Sequence, residues 1–191
     1  MILGDLCNFE SGIIVSRVSE KASDLTQMYH LYENDQFDNN PLLMNNETSS
    51  NRIFTEKDVP TLRENDVVIN LYRAKAMKVH NFYSNYIINA NFVKIDINTT
   101  LLDKAYFLYW FNESLESKKQ LIQDVQGTFM RKTTISQLKE MQITLPDLDV
   151  QRLIGGIYEQ QIELNNLYEK KMKLNNAFSK GIIQNIEKGS V

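Results

Sequence analysis

The sequence predicts an α+β fold. A mixed globular domain covers residues 1–147, and a long helix over 148–187 forms a coiled coil between chains, with a disordered tail at 188–191. Three observations predict this. Val67-Val68-Ile69-Asn70-Leu71-Tyr72 is a run of β-branched and aromatic residues of the kind that fits a pleated sheet. Residues 101–117 carry apolar side chains at helical spacing (Leu102, Ala105, Tyr106, Leu108, Tyr109). From Val150 onward the apolar residues alternate at three and four, the pattern of a helix that needs a partner.

Taken in order, residues 1–20 read as a strand or short helix closed by a Ser-Gly turn. The stretch 23–61 is polar and loop-rich, with one strand at 28–32. A turn at 62–66 leads into the strand at 67–72, and residues 76–79 and 87–97 continue the same sheet. Asn98 or Thr99 starts the helix at 101–117, whose Trp110 and Phe111 pack it on the sheet; a second helix covers part of 116–126. A short helix over 134–141 is capped by Thr133 or Thr134. The alternation in Met141-Gln142-Ile143-Thr144-Leu145 reads as a half-buried strand that Pro146 ends. Asp147 or Asp149 then offers an N-cap carboxylate to the long helix.

Numbered from Val150, the a positions of that helix are Val150, Ile157, Leu164, Lys171 and Phe178, and the d positions are Leu153, Gln160, Leu167, Leu174 and Gly181. A lone helix of this length, apolar on one side, is not stable in water. No second helix of its length exists in the chain to cover the stripe, so the partner comes from another chain. The interface residues are Val150, Leu153, Ile157, Leu164, Leu167, Leu174 and Phe178. Gly155-Gly156 weakens or bends the helix near its start, and Gly181 frays it near its end.

The bulk composition sets limits. At 191 residues the chain holds one fair-sized domain plus an appendage. No apolar run approaches the roughly 20 residues of a membrane span, so no membrane role is expected. One cysteine, Cys7, makes no internal disulfide and suits a reducing cytoplasm. A net charge of −3 argues against nucleic acid, but the charge is unevenly spread. From Val67 to Ile95 there is no Asp or Glu, whereas Arg73, Lys75, Lys78 and Lys94 are present together with Tyr72 and several asparagines. Arginines and amides are the side chains that pair with base edges in the major groove.

A second acid-free stretch runs from Val125 to Lys139. There Gly127 permits a tight turn and Arg131, Lys132, Thr133 and Thr134 follow it, the residue types that phosphate contact requires. The order of turn, basic-hydroxyl run, Pro-terminated strand and long helix resembles the specificity (S) subunits of type I restriction-modification enzymes. In that family a target recognition domain closes on such a pattern. The matching residues are Gly127, Thr128, Arg131, Ile135, Leu138, Ile143, Leu145, Pro146, Leu148, Gln151 and Ile154. Val150 departs from it, since family members usually carry Glu before the Gln. Leu3-Gly4-Asp5-Leu6 and Phe9-Glu10-Ser11-Gly12 also resemble the family's opening.

The resemblance implies a target recognition domain over 1–147 and a conserved-region helix over 148–187, present once each where the usual S subunit is a tandem. The chain is thus identified as a half-length specificity subunit, or half of a longer one. The implied partners are double-stranded DNA, the methyltransferase and restriction subunits of the same system, and a second copy of the chain. The residues assigned to DNA contact are Ser11, Arg17, Asn70, Tyr72, Arg73, Lys75, Lys78, Thr128, Arg131, Lys132 and Thr133.

No catalytic residue, metal or cofactor is expected. His30 and His80 have no Cys or carboxylate at ligand spacing, and no Gly-rich phosphate or cofactor loop is present. Pro146-Asp147 followed by Glu169-Lys170-Lys171 matches a loose nuclease pattern, but a helix separates the two carboxylates by roughly 30 Å, too far to share a metal. The rival reading is a coiled-coil protein–protein adaptor without DNA binding, which the acidic balance favours and the two acid-free segments oppose.

Overall fold

Val67–Asn70 (β4) is buried along its whole length, which places it at the centre of the molecule. In the computed structural model, which describes residues 1–34, 37, 51–123 and 132–189, β4 lies inside a four-stranded antiparallel sheet. The order is Cys7–Ser11 (β1), Phe92–Ile97 (β7), β4 and Lys75–Lys78 (β5). Arg52–Thr55 (β3), Gln27–Tyr32 (β2) and Ile87–Ile88 (β6) form a second sheet, in which β2 and β6 run parallel.

Strand periodicity assigns the two faces of the main sheet. Val67, Ile69, Val93 and Ile95 point to a core shared with Leu102, Phe107, Trp110, Phe111 and Leu138. Val68 and Phe92 point the other way, onto Tyr32, Phe37 and Tyr83. The result is a helical layer, a sheet and a second sheet. Fully burying a side chain such as Phe107 or Phe111 contributes roughly 1.5–3 kcal/mol, so the aromatic face of the helix is what holds that layer down. Cys7 is buried at the edge of the same core; burial, with the Asp96 carboxylate nearby, pushes its thiol up to about 12.

Several boundaries differ from expectation. Residues 87–97 do not form one strand. Asn89 accepts from the Asn91 amide at 2.9 Å, making a turn that sends β6 to one sheet and β7 to the other. The helix predicted over 101–117 is two, Lys104–Glu113 (α3) and Leu115–Gln123 (α4), because Ser114 between them is extended. Its cap is Asp103, which accepts from Tyr106 N at 2.9 Å, rather than Asn98 or Thr99. Asn98 instead closes a local turn with Thr100. At the N-terminus, short helices Leu3–Leu6 (α1) and Val15–Val18 (α2) flank β1.

The strand expected at 141–145 is a single bridge, Ile2 with Gln142. The chain's first residues use up its partners: Leu3 N donates to Met141 O at 2.8 Å and Ile143 N to Met1 O at 2.9 Å. The alternation is real all the same, with Met141 and Ile143 buried and Gln142 exposed. Thr134 caps Ile135–Glu140 (α5) as expected, through a capping box with Gln137.

The C-terminal helix, Leu148–Glu187 (α6), runs 40 residues without a break, roughly 60 Å at the α-helical rise. Asp147 stands at its N-cap but makes no side-chain capping bond. The helix runs through Gly155-Gly156 without interruption. A Cβ on Gly155 would meet Tyr106 N at 2.5 Å and Ala105 carbonyl carbon at 2.8 Å, so the glycine is there to let α3 and α6 approach closely. Gly156 faces open space, as does Gly181. Of the tail expected at 188–191, Lys188 and Gly189 close the helix through hydrogen bonds to Gln184 O and Ile186 O, with Gly189 at φ 68°. Residues 190–191 lie outside the described residues. No helix among the described residues is long and apolar enough to cross a membrane.

The two adjacent glycines should respond oppositely to alanine. Gly156→Ala should stabilise by about 0.5–1 kcal/mol, the ordinary gain of Ala over Gly inside a helix. Gly155→Ala should destabilise by about 1–3 kcal/mol, as overpacking does, because backbone atoms rather than a movable side chain stand in the way. Thermal denaturation of the two variants checks this; equal effects would remove the close approach at Gly155.

Candidate nucleic-acid interface

Four segments distant in sequence meet at one end of the main sheet. β1 ends there at Ser11, β7 begins there after the 89–91 turn, and β4 turns back into β5 through the 71–74 turn. The fourth is the segment that begins at Lys132: Thr133 N donates to Leu71 O at 2.8 Å, docking it on the 71–74 turn. Leu71 N donates to Asn91 O at 2.9 Å, and Gly12 N to Phe92 O at 3.1 Å, so all four are laced by backbone bonds. Gly12 is required at its place, since a Cβ would lie 2.0 Å from Asn89 O.

The side chains on this end are basic, polar and aromatic. Tyr72 and Arg73 are exposed at the tip of the 71–74 turn, and Lys75 is exposed where β5 starts. Lys132 reaches over the Tyr72 ring, 5.3 Å from its centroid, and its ammonium donates to Ala90 O. The contact fixes the direction of both side chains. Ser11 is exposed beside them, its hydroxyl donating to Gly12 O at 3.2 Å. The site therefore brings together Ser11, Tyr72, Arg73, Lys75, Lys132 and Thr133 from three stretches of the sequence.

The remaining expected residues lie elsewhere. Asn70 is a correction: it is 1% exposed and engaged on both amide ends. Its Oδ1 accepts from Tyr72 N at 3.0 Å and Arg73 N at 3.2 Å, and its Nδ2 donates to Asn34 at 2.7 Å. This side chain shapes the turn that presents Tyr72 and Arg73; it is not available to a base. Lys78 is at the far end of β5, roughly 10 Å from Lys75 at the strand rise, and pairs with Glu159 of α6. Arg17 sits on α2, against the second sheet, where its carbonyl accepts from Lys57. Lys94 is held by Glu10 at 2.6 Å. Thr128 and Arg131, with Gly127, lie outside the described residues.

Sequence reasoning missed the 89–91 turn as part of the site. Its signal was the Asn-x-Asn pair Asn89 and Asn91, which favours a side-chain-closed turn over a continuous strand. The buried role of Asn70 had a similar sign, an Asn directly before a non-glycine turn in which Ala74 takes φ 45°. His30 stacks on Tyr86 and His80 accepts from Phe82 N, both structural positions. Among the described residues no group of His, Cys, Asp and Glu could hold a metal. Asp147 is the N-cap of α6 and Glu169 lies near its middle, roughly 30 Å along the axis, so the nuclease pattern has no geometry behind it.

With this geometry in place, comparison with known proteins gives the family. Residues 1–176 match the family described as the type I restriction modification DNA specificity domain. The chain belongs to that family. The fold is shared with the HsdS subunit from Thermoanaerobacter tengcongensis, at TM-score 0.59 and 18% identity, over 96% of this chain and 47% of that one. It is shared too with a type I restriction-modification S subunit from M. genitalium, at TM-score 0.55 and 15% identity, over 94% of this chain and 44% of that one. A third match comes from a structure of complex assembly and conformational transition in the type I R-M system, at TM-score 0.59 and 14% identity, over 97% of this chain and 48% of that one. The chain thus spans about half the length of these solved relatives. No protein of curated function matches it.

If Asn70 holds the turn, its loss should show in stability before any ligand is added. Asn70→Ala should cost about 1–3 kcal/mol, the penalty for leaving buried partners unsatisfied. Chemical denaturation of the unliganded protein measures it. A variant as stable as the parent would return Asn70 to the surface as a candidate base reader.

Proposed function

We propose that this chain is a non-catalytic, DNA-sequence-reading subunit of a type I restriction-modification system, working in the cytoplasm without a cofactor. Residues 1–147 form the target recognition domain and read one half of a bipartite site, and residues 148–187 form the dimerisation helix and spacer. The observation that carries this is the sheet end where Ser11, Tyr72, Arg73, Lys75, Lys132 and Thr133 converge, in a chain that belongs to the specificity-domain family. Three cations beside hydroxyls and an exposed ring make a surface suited to phosphates and base edges. Arg131 and Thr128 join it on sequence grounds.

The partner on the helix is a second copy of the chain. Support comes first from two separate faces of α6. Gln151, Ile154, Gly155 and Tyr158 turn toward the domain, while Leu153 and Ile157 of the apolar stripe remain 64% and 61% exposed. Val150, Leu164, Leu167, Leu174 and Phe178 are exposed along the same stripe. Second, two copies supply about the length of one solved relative. Third, charge divides along the helix. Five of the six charged residues from Asp147 to Glu169 are acidic and five of the six from Lys170 to Lys188 are basic. An antiparallel pair of identical helices sets each acidic half against a basic half, and a parallel pair sets like against like. The methyltransferase and restriction subunits of the system dock on the resulting scaffold, as the complex-assembly relative suggests.

A symmetric dimer presents identical side chains to both half-sites, so the target is an inverted repeat about an unread gap. Analytical ultracentrifugation should show a dimer at micromolar concentration, and the double variant Leu164→Glu, Leu167→Glu a monomer. A monomer for the unmodified chain removes the scaffold.

Binding to random duplex DNA at several salt concentrations, with the methyltransferase subunit present, tests the DNA role. Removing any one of Arg73, Lys75, Arg131 or Lys132 should weaken binding to all sequences. Each should also lower the slope of log affinity against log salt by about one. No salt-dependent binding at all would leave a coiled-coil adaptor.

A further inference from the structure

The junction between the domain and α6 is built more tightly than covering a helix requires. Gln151 is 1% exposed: its Oε1 accepts from Asp103 N at 2.9 Å, and its Nε2 donates to Leu101 O at 3.1 Å and Pro146 O at 2.8 Å. One turn on, Gly155 sits on the backbone of Ala105 and Tyr106. One further turn on, the Tyr158 ring meets Tyr109 edge-on at 5.9 Å, and Glu159 pairs with Lys78.

Asn112 ties the three elements of this junction together. From α3, its Oδ1 accepts from Ala76 N at 2.9 Å and its Nδ2 donates to Ala76 O at 2.9 Å, so it caps the otherwise open edge of β5 as another strand would. The same Nδ2 donates to the Tyr158 hydroxyl at 3.2 Å. One amide thus connects the edge of the DNA-facing sheet to the helix that carries the second copy. The Lys78–Glu159 pair makes a second link between the same two elements, on the same strand.

We infer that Asn112 and Tyr158, with the Lys78–Glu159 pair, are positioning residues for specificity: they set the angle of the recognition domain on the spacer helix, and through it the width of the gap the dimer accepts. This rests on the DNA-reading dimer proposed above. The reason lies in leverage. Beyond Glu159 none of the described residues of the helix is buried, and it continues for roughly 40 Å. A tilt of about 10° at the joint moves the far end of such an arm by about 7 Å, or two base-pair steps of 3.4 Å. Local packing at Gly155 fixes where the helices cross, but polar contacts on either side of that point are what resist rotation about it.

The test selects duplexes with a fully randomised central stretch against the unmodified full-length chain, Tyr158→Phe, Asn112→Ala and Glu159→Gln, and sequences what is bound. The unmodified chain should select an inverted pair of half-sites at one gap width. The variants should select the same half-site letters over a range wider by about one or two base pairs on either side, as that tilt implies. Affinity at the original gap should fall a few-fold. Asn112→Ala opens a strand edge and could fail to fold, in which case the Tyr158→Phe and Glu159→Gln variants decide. Gap widths as narrow as the parent's in folded variants overturn the inference, and so do altered half-site letters. An unmodified chain that selects no gapped pair overturns the DNA-reading dimer itself, a result distinct from either.

Discussion

The close approach of two backbones at Gly155 is the constraint on which the functional geometry depends. With no Cβ in the way, α6 lies against Ala105 and Tyr106 of α3, and α3 in turn is fixed on the main sheet by Phe107, Trp110 and Phe111. The long helix is therefore referenced, through α3, to the same sheet whose far end gathers Tyr72, Arg73 and Lys132. Any side chain at 155 would have to push the helices apart, and in the proposed dimer that shift would pass into the position of the second copy. The polar clasp around the crossing would have little to hold if the crossing itself were loose.

The same helix solves a conflict between two partners. A stripe of one apolar face can serve one neighbour only, yet in the proposed dimer α6 binds both its own domain and a second chain. It does so by using different angular positions for each. Residues 151, 154, 155 and 158 are spaced at three, one and three and lie on one side; Val150, Leu153 and Ile157 lie on another. The inner face is mixed, with a buried glutamine and a glycine, because it meets backbone and carbonyl groups. The outer face is aliphatic, because in the proposed dimer it meets another copy of itself.

Legibility followed this division. The long helix, the strand at β4 and the capping box at Thr134 were readable because each rests on local periodicity or on one side chain bonding its own backbone. The outer stripe was readable for the same reason. What the sequence hid were residues whose role depends on a distant partner. Gly155 reads as a weak point in a helix until Ala105 is seen against it. Lys78 reads as a DNA-facing cation until Glu159 is seen 81 positions on. Asn70 reads as a base reader because amides suit that role, although a buried amide at a turn suits another. The acid-free stretch 67–95 was informative as a composition, but it mixed residues of the sheet end with residues of the junction.

The net negative charge of the chain also becomes intelligible. DNA affinity depends on the charges that face phosphates, not on the sum over the molecule. Lys94 is neutralised by Glu10 and Lys78 by Glu159, so neither adds to the field at the site. Arg73, Lys75 and Lys132 stand at the sheet end, on the two stretches of sequence that carry no acid. Five of the chain's 24 acidic residues fall between Asp147 and Glu169, where the proposed antiparallel copy meets them with lysines.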